Sequence, residues 1–393
     1  MRRGTRSGSW KRWLFALIAT ASLIFVGAAC GDDDGDSGGG GDEGGGTVTF
    51  AALLPLTGPN AAYGEFQVNG AQMAVDEINA EGGIGGNTKI ELVIEDSQAA
   101  PEETVTAFNR AYGEHEMPVA ISVGSSSILA LVPLAEQRKV MLLNGGSQGD
   151  ELGGASDLLF STIHLIRNEV AALAPYLVEE GGFKRAAILY IDDDLGRAGK
   201  EDFERDFAAA GGEVVASAAH EPGGTDFRSQ LANLRDADPD VLFLSTYGED
   251  AHIAVNQTRQ LGWDVQLVGP SLVALPNIIR DKDAEGMITT PVQFDPPEEF
   301  VAEYEERYGG PPEHPFVGTY YDAVKVAAEA WAYAQENDLG EDGPALAEAV
   351  RQIGTFETAF GGEITFDEDG VAARPISIAV VENGKTKVVQ EAE

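Results

Sequence analysis

Val119-Ala120-Ile121-Ser122-Val123-Gly124-Ser125-Ser126-Ser127 is the stretch of sequence that decides the fold. Its first five residues predict a short buried strand, the glycine ends that strand, and a helix follows from Ile128. A second apolar strand, at residues 140–143, runs into Asn144-Gly145-Gly146-Ser147-Gln148. Two parallel strands would bring both loops to one edge of a sheet, where open α/β sheets bind their ligands.

The two loops are rich in groups that bind oxygen atoms. Their hydroxyls, together with unpaired backbone N–H groups at a helix start, suit a carboxylate, a carbonyl or another oxygen-bearing ligand. The alternative is that Ser125, Ser126 and Ser127 only cap the helix. The organisation of the rest of the chain favours the ligand site.

The composition predicts a globular protein with two domains. The chain has 393 residues, 43% of them hydrophobic, which is enough for two buried cores. Its net charge is −39, from 65 acidic and 26 basic residues. This charge argues against nucleic acid as a partner and against direct binding to an anionic membrane surface, because both require a basic face.

The N-terminus has the pattern of an export signal. Basic residues, an apolar run at residues 13–26 and Gly27-Ala28-Ala29 precede Cys30, the one cysteine of the chain. This order resembles a bacterial lipoprotein signal, so residues 1–29 are expected to be a signal peptide and Cys30 the lipidated N-terminus. The alternative is an uncleaved anchor helix. Residues 30–46, mostly Gly, Asp and Glu, are expected to be a flexible tether. Either way, the rest of the chain is expected outside the cytoplasmic membrane.

Strands and helices alternate along the rest of the chain. The order strand, helix, double glycine and strand at residues 47–94 recurs at residues 186–216. Alternation of this kind implies parallel sheets covered by helices on both faces. Two similar halves therefore predict an α/β fold of two lobes with a crevice between them.

A set of short motifs, each weak alone, is spread over residues 49–387. The motifs are Leu56-Thr57-Gly58-Pro59, Tyr63-Gly64, Gly70-Ala71-Gln72, Ile78-Asn79-Ala80-Glu81-Gly82-Gly83-Ile84, Gly124-Ser125-Ser126-Ser127, Asp193-Asp194-Leu195-Gly196, Tyr247, Gly269-Pro270 and Tyr321-Asp322-Ala323. In this order and spacing they resemble the substrate-binding proteins of ABC importers, in the branched-chain amino acid and amide group (Leu/Ile/Val-binding). The resemblance covers nearly the whole chain after the tether.

The resemblance implies a periplasmic binding protein fold of type 1. Two Rossmann-like lobes with parallel sheets, joined by three hinge crossings, would close on a small-molecule ligand. Lobe one would hold residues 47–164 and 293–367, and lobe two residues 165–292 and 368–393. The closed form would then dock on separate ABC permease subunits. The expected protein is a monomer without a cofactor, held at the membrane by its N-terminal lipid alone.

The resemblance also implies which residues bind the ligand. Ser125 stands at the serine that holds the ligand carboxylate. Tyr63 matches an aromatic residue that covers the ligand, and Tyr247 matches a tyrosine that closes over it from lobe two. The predicted ligand-binding residues are Tyr63, Val123, Gly124, Ser125, Ser126, Gly146, Ser147, Gln148, Leu195, Tyr247 and Ser271.

Two of these positions depart from the family pattern. Ser271 follows Gly269-Pro270 where an acidic residue should pair with the ammonium of an amino acid, and Leu195 replaces an aromatic residue. Burying an ammonium without a carboxylate partner is costly. These departures predict an amide, a carboxylic acid without an amine, or a mostly apolar acid, unless Glu249 or Asp250 reaches the ligand.

The sequence offers little support for an enzyme. The five histidines lack metal-ligand spacing, and Gly124-Ser125-Ser126-Ser127-Ile128 lacks the second glycine of a nucleophile elbow. Asp192-Asp193-Asp194 is expected to be a solvated loop before a helix, with a cation site as the alternative. His164 is expected at the first crossing, as a hinge contact or a ligand contact. No catalytic or metal-binding residue is predicted. A ligand-sensing ectodomain and a secreted hydrolase remain as alternatives.

Overall fold

Two sheets organise the computed structural model, which describes residues 45–58, 60–360 and 362–391. Residues Gly45–Glu393 form one compact unit. Cys30, the predicted signal peptide and nearly all of the predicted tether lie outside the described residues. Within the described residues, no helix combines the length and the apolar character that crossing a bilayer requires.

The described residues form fifteen strands and eleven α-helices. The strands are β1 Gly46–Leu54, β2 Thr88–Asp96, β3 Val119–Ser122, β4 Met141–Asn144, β5 Leu159–Ser161, β6 Arg185–Ile191, β7 Glu213–His220, β8 Val241–Ser245, β9 Gln266–Gly269, β10 Ile288–Thr289, β11 Thr355–Glu357, β12 Glu363–Phe366, β13 Ala372–Ala373, β14 Ser377–Glu382 and β15 Lys385–Glu391. The helices are α1 Ala61–Ala80, α2 Pro101–His115, α3 Ser125–Arg138, α4 Ile166–Glu179, α5 Asp194–Ala209, α6 Arg228–Arg235, α7 Gly248–Gln260, α8 Pro276–Ile279, α9 Glu298–Tyr308, α10 Phe316–Glu336 and α11 Gly343–Ile353.

The first sheet is entirely parallel, in the order β2-β1-β3-β4-β5. Strands β3, β4 and β5 and the second half of β1 are buried on both faces, which is why β1 ends in the unbroken apolar run at residues 50–54. Helices α1, α10 and α11 pack on one face, and α2 and α3 pack on the other. Ala71, Ala74, Val75 and Ile78 form an apolar stripe on α1 that is buried there.

Helices α1 and α10 approach each other at a glycine. A Cβ on Gly70 would come within 2.1 Å of the Val317 carbonyl oxygen. Because that distance is far below van der Waals contact, only glycine allows the two helices to pack this closely. The contact fixes α1 against the beginning of α10, and both helix starts contribute to the cleft described below.

The second sheet has seven strands, in the order β15-β14-β10-β9-β8-β6-β7. Strands β6 to β10 run parallel, whereas β14 and β15 form an antiparallel hairpin at one edge. Helices α4 and α5 cover one face, and α6, α7 and α8 cover the other. The predicted α/β class, with mostly parallel sheets in two lobes, is therefore confirmed.

The chain passes between the two sheets three times. The passages lie at residues 162–165, 290–297 and 374–376. A small antiparallel sheet, β11-β12-β13, precedes the third passage, and β13 still pairs with β12. The third passage therefore follows Ala373, whereas the predicted lobe boundary lay at residue 367.

Candidate ligand-binding site

A cavity of about 270 Å³ lies where loops of the two sheets face each other. Its volume is close to the lower end of the range for small-molecule pockets. The carboxyl ends of β1, β3 and β4 contribute one wall, and loops that follow β6, β8 and β9 contribute the other. Of the predicted residues, those that line this cavity are Tyr63, Val123, Gly124, Ser125, Ser126, Gly146, Ser147, Leu195 and Tyr247.

The β3–α3 loop presents a helix N-terminus to the cavity. Gly124 adopts φ +90°, a conformation that favours glycine, and its N–H donates a 2.7 Å hydrogen bond to Ser147 Oγ. Helix α3 begins at Ser125, three residues before the predicted start. The first N–H groups of a helix have no partner within it and carry partial positive charge. This end of the cavity is therefore suited to a ligand carboxylate.

The β4 loop is held by Asn144. Its Oδ1 accepts hydrogen bonds from the N–H groups of Gly146 and Ser147, at 3.1 and 2.8 Å, and its Nδ2 donates to the Ser147 carbonyl. Ser125 Oγ accepts a 3.3 Å hydrogen bond from the N–H of Gly149. These bonds tie the two predicted loops of the first sheet to each other and fix their polar atoms beside the cavity.

Asp193 and Tyr247 form the opposite wall, which belongs to the second sheet. Asp193 caps α5 by accepting a 2.8 Å hydrogen bond from Gly196 N, and its Oδ2 accepts a 2.6 Å bond from the Tyr247 hydroxyl. Burial, followed by the charge of Asp193, raises the pKa of Tyr247 far above its ordinary value. Burial, followed by Glu249, raises the pKa of Tyr63 to about 12. Both tyrosines therefore keep their hydroxyl protons at neutral pH.

One hydrogen bond joins the two walls directly. Ser126 Oγ donates to Asp194 Oδ2 at 2.8 Å, from the start of α3 to the start of α5. This bond, followed by that from Arg197, lowers the pKa of Asp194, which therefore remains ionised. The contact therefore joins the lobe that contains α3 to the lobe that contains α5 beside the cavity.

Gln148 and Ser271 lie outside this cavity. Both are buried, with 1% and 6% of their surface exposed, and both bond to the carboxylate of Glu169. They line a neighbouring cavity of about 680 Å³. Ligand contacts by these two residues therefore stay a prediction, and the structure gives them another partner.

Glu169 is the centre of a buried hydrogen-bond cluster at the crossings. Its carboxylate accepts bonds from His164 Nε2 at 2.7 Å and from the Ser271 and Thr290 hydroxyls at 2.6 Å each, as well as from Gln148 and from the N–H of Ser271. Burial alone would raise the pKa of Glu169, but His164 and the hydroxyls outweigh it and lower the pKa. His164 is therefore a hinge contact in this structure.

The cavity has further wall residues that were not predicted. Gln67 lies four residues after Tyr63 on α1, and Asn60, the residue directly before the helix, lies three residues before Tyr63, so the three fall on one side of the helix start. This spacing is the sequence pattern from which Asn60 and Gln67 could have been predicted as wall residues. Phe316, at the start of α10, and Asp193 have no such pattern, because their place at the cavity depends on how distant elements pack. The other unpredicted wall residues are Pro55, Ala99, Pro101, Ser127, Asp194, Leu272 and Leu275.

The charges on the cavity walls are all negative. Asp193 and Asp194 line it, and no lysine, arginine or histidine does so among the residues that the structure describes. Arg197 pairs with Asp192 and Asp194 but not with Asp193. The same part of the chain contains no cluster of metal-ligating side chains. The Asp193 carboxylate accepts hydrogen bonds from Gly196 and Tyr247 and has no basic partner among the described residues.

One family of known proteins matches the chain over nearly all of its described residues. The profile described as "Periplasmic binding protein" matches residues 47–386. The chain belongs to this family. The match spans all three passages, every wall residue of the cavity and both sheets except most of β15.

Relatives of the chain within the periplasmic binding proteins cover most of its length. It is 28% identical over 330 residues to the leucine-, isoleucine-, valine-, threonine- and alanine-binding protein of Pseudomonas aeruginosa, covering 82% of this chain and 87% of that protein. The crystal structure of a leucine-binding protein from Thermotoga maritima is 25% identical, with a TM-score of 0.78, covering 88% of this chain and 98% of that one. A solute-binding protein from R. palustris in complex with 4-hydroxybenzoate shares the fold, with 19% identity and a TM-score of 0.79, covering 88% and 97%.

Proposed function

We propose that the protein is the substrate-binding component of an ABC importer, and that it captures a small solute between its two lobes. The observation that carries the proposal is the cavity of about 270 Å³, which is walled by loops of both sheets. Membership of the periplasmic binding protein family supports it. The protein is a binding protein rather than an enzyme, and it delivers its ligand to separate permease subunits.

The chemistry of the walls favours a ligand with opposite charges at its two ends. The free N–H groups of α3 and the hydroxyl of Ser125 suit a carboxylate. Asp193, on the facing wall, has no basic partner among the described residues and suits an ammonium group. A simple carboxylic acid would leave Asp193 without a cation. We therefore propose an α-amino acid, although Ser271 had led us to expect a ligand without an amine.

One relative is named for amino acids, as the proposed ligand class would require, whereas one solved structure contains a ligand of another class. The Pseudomonas aeruginosa relative is named for five amino acids. The R. palustris structure contains 4-hydroxybenzoate, which has no amine, but at 19% identity it is evidence for the fold alone. The two classes of ligand therefore form the two halves of the test.

The proposed location is the outer face of the cell membrane. The sequence pattern before Cys30 supports a lipid anchor there, and the family supports an extracytoplasmic position. A monomer is sufficient for the mechanism, because both walls of the cavity come from one chain. The ligand shifts the equilibrium from the open to the closed form only to the extent that it binds the closed form more tightly than the open form.

A thermal-shift panel tests the proposal. The solutes are leucine, isoleucine, valine, threonine, alanine and glutamine on one side, and benzoate and 4-hydroxybenzoate on the other. A ligand at 100 times its dissociation constant should add about 2.7 kcal/mol to the free energy of unfolding. We expect shifts from amino acids only. Shifts from the two aromatic acids alone would contradict the assignment of Asp193. No shift at all, or hydrolysis of an amide or ester, would contradict the binding function itself.

A further inference from the structure

Gln67 is one of the two most buried polar side chains that line the cavity, the other being Ser127. It follows Tyr63 on the cavity face of α1, and only 1% of its surface is exposed. Partly and fully buried aromatic residues, Tyr63 and Phe316 among them, surround this part of the helix. An amide in such a place is costly unless its polar atoms form hydrogen bonds.

Gln67 Oε1 lacks a hydrogen-bond partner among the residues that the structure describes. Buried side-chain oxygens in native proteins nearly always have one, so an unpaired atom needs a cause. Ser127 Oγ, which is 1% exposed and lines the same cavity, is unpaired as well. Two unpaired polar groups on one ligand cavity are explained if the ligand supplies their partner.

We propose that Gln67 selects a ligand whose side chain ends in a hydroxyl or an amide. This inference rests on the proposed function, since it names the class of amino acid that the cavity takes. A hydroxyl can donate to Oε1, and it can also accept from the amide nitrogen. The start of α3 holds the carboxylate of the amino acid and Asp193 holds its ammonium group, and Gln67 then contacts the side chain. An aliphatic side chain of the same shape would leave the Gln67 amide unpaired, and so it would bind less tightly.

Matched pairs of solutes measure this selection directly. Threonine and valine have nearly the same shape but differ in one hydroxyl, and glutamine and methionine have similar length but differ in the amide. We expect the unaltered protein to bind the polar member of at least one pair about 10-fold or more tightly than its apolar partner, by titration calorimetry. Tenfold corresponds to about 1.4 kcal/mol.

The decisive variant is Gln67→Met, which keeps the length of the side chain and removes the amide. We expect the ratio of dissociation constants to fall to about 1 or to reverse, while the apolar member still binds. Gln72→Met is the matched control, because Gln72 lies on the same helix outside the cavity and bonds to Asp76. The control should leave the ratio unchanged. If Gln67→Met does not fold, Gln67→Leu serves in its place.

The outcomes separate this inference from the proposed function. Amino acids that bind with no preference for the polar member, or a preference that survives Gln67→Met, would overturn the role of Gln67 alone. If no amino acid binds, the proposed ligand class fails and the role of Gln67 fails with it. An unpaired amide that only holds water predicts the same ratio in the variant as in the unaltered protein, which also counts against the inference.

Discussion

Thr290 donates a 2.6 Å hydrogen bond to the Glu169 carboxylate, and this bond ties the second passage between the sheets to the helix that follows the first. His164, within the first passage, bonds to the same carboxylate. A comparable tie involves the third passage, where Arg374 bonds to the carbonyl of Thr162 at 2.9 Å and pairs with the buried Asp322. All three passages are therefore held by buried charged groups.

The first prediction concerns stability. Replacing Glu169 with Leu should lower the free energy of unfolding by about 3–5 kcal/mol, because the hydroxyl, amide and imidazole groups around it would lose their acceptor. Glu179→Gln is the matched control, since this residue is exposed at the end of the same helix. Urea denaturation measures both. A loss below 1 kcal/mol for Glu169→Leu would mean that the cluster does not hold the passages.

The second prediction concerns the carboxylate end of the cavity. Ser125→Ala removes a hydroxyl beside the start of α3. For the solute with the largest thermal shift, we expect the dissociation constant to rise about 10-fold to 100-fold. The physical reason is the loss of one hydrogen bond to a charged group, about 1.5–3 kcal/mol. Calorimetry measures the change. Ser229→Ala, on the exposed surface of α6, is the control and should bind normally.

The third prediction concerns the hydrogen bond between the walls. Ser126→Ala removes the 2.8 Å contact with Asp194 and should raise the rate of ligand release about 2-fold to 10-fold, because the closed form loses a bond that the open form lacks. Stopped-flow competition measures the release rate. Ser126→Thr keeps the hydroxyl and should release ligand at the original rate. Equal rates in all three proteins would show that the bond does not stabilise closure.

The fourth prediction is a dependence of stability on pH. Burial, followed by the neighbouring carboxyl of Asp202, raises the pKa of Asp150 from 3.8 to about 8, against the opposing effect of Arg167. The folded protein therefore binds a proton here that the unfolded chain releases above pH about 4. This contribution to stability is complete below that pH and decreases as the pH rises to about 8.

Asp150→Asn isolates this effect. The variant lacks the titrating group. The free energy of unfolding of the unaltered protein minus that of the variant should therefore become steadily more negative from pH 5 to pH 8. The ion pair between Arg205 and Asp202 is present in both proteins, so it does not contribute to the difference. Urea denaturation at each pH gives the difference. A difference that stays constant with pH would show that Asp150 is not protonated in the folded protein.

The parts of the fold that local patterns determine could be predicted from the sequence. Apolar runs followed by polar loops predict β3, β4 and a ligand site beside them, and a cavity does lie at those loops. The predicted start of α3 is three residues late, because Gly124 takes the cap position and the three serines form the first turn of the helix. The hairpin of β14 and β15 was not predicted, although Asn383-Gly384 is a strong hairpin signal.

The charge of the cavity could not be predicted in the same way. Asp193 was interpreted as part of a solvated loop, and its position as an N-cap fits that local pattern. Its exposure to the cavity depends on the arrangement of α5 against the loops of the other sheet, which no short stretch of sequence encodes. Gln148 is assigned to the ligand by the family resemblance, and its hydrogen bond to Glu169, 21 residues away in an otherwise apolar helix face, is a contact that no short stretch of sequence predicts.

The two walls of the cavity have one further consequence for inhibition. The atoms suited to a carboxylate belong to one lobe, and the carboxylate of Asp193 belongs to the other. On the proposed function, a solute with both charges binds to both lobes at once and so stabilises the closed form. A compound that kept the carboxylate but lacked the amine would bind the open cleft without closing the lobes. It would therefore inhibit uptake competitively and would not itself be transported.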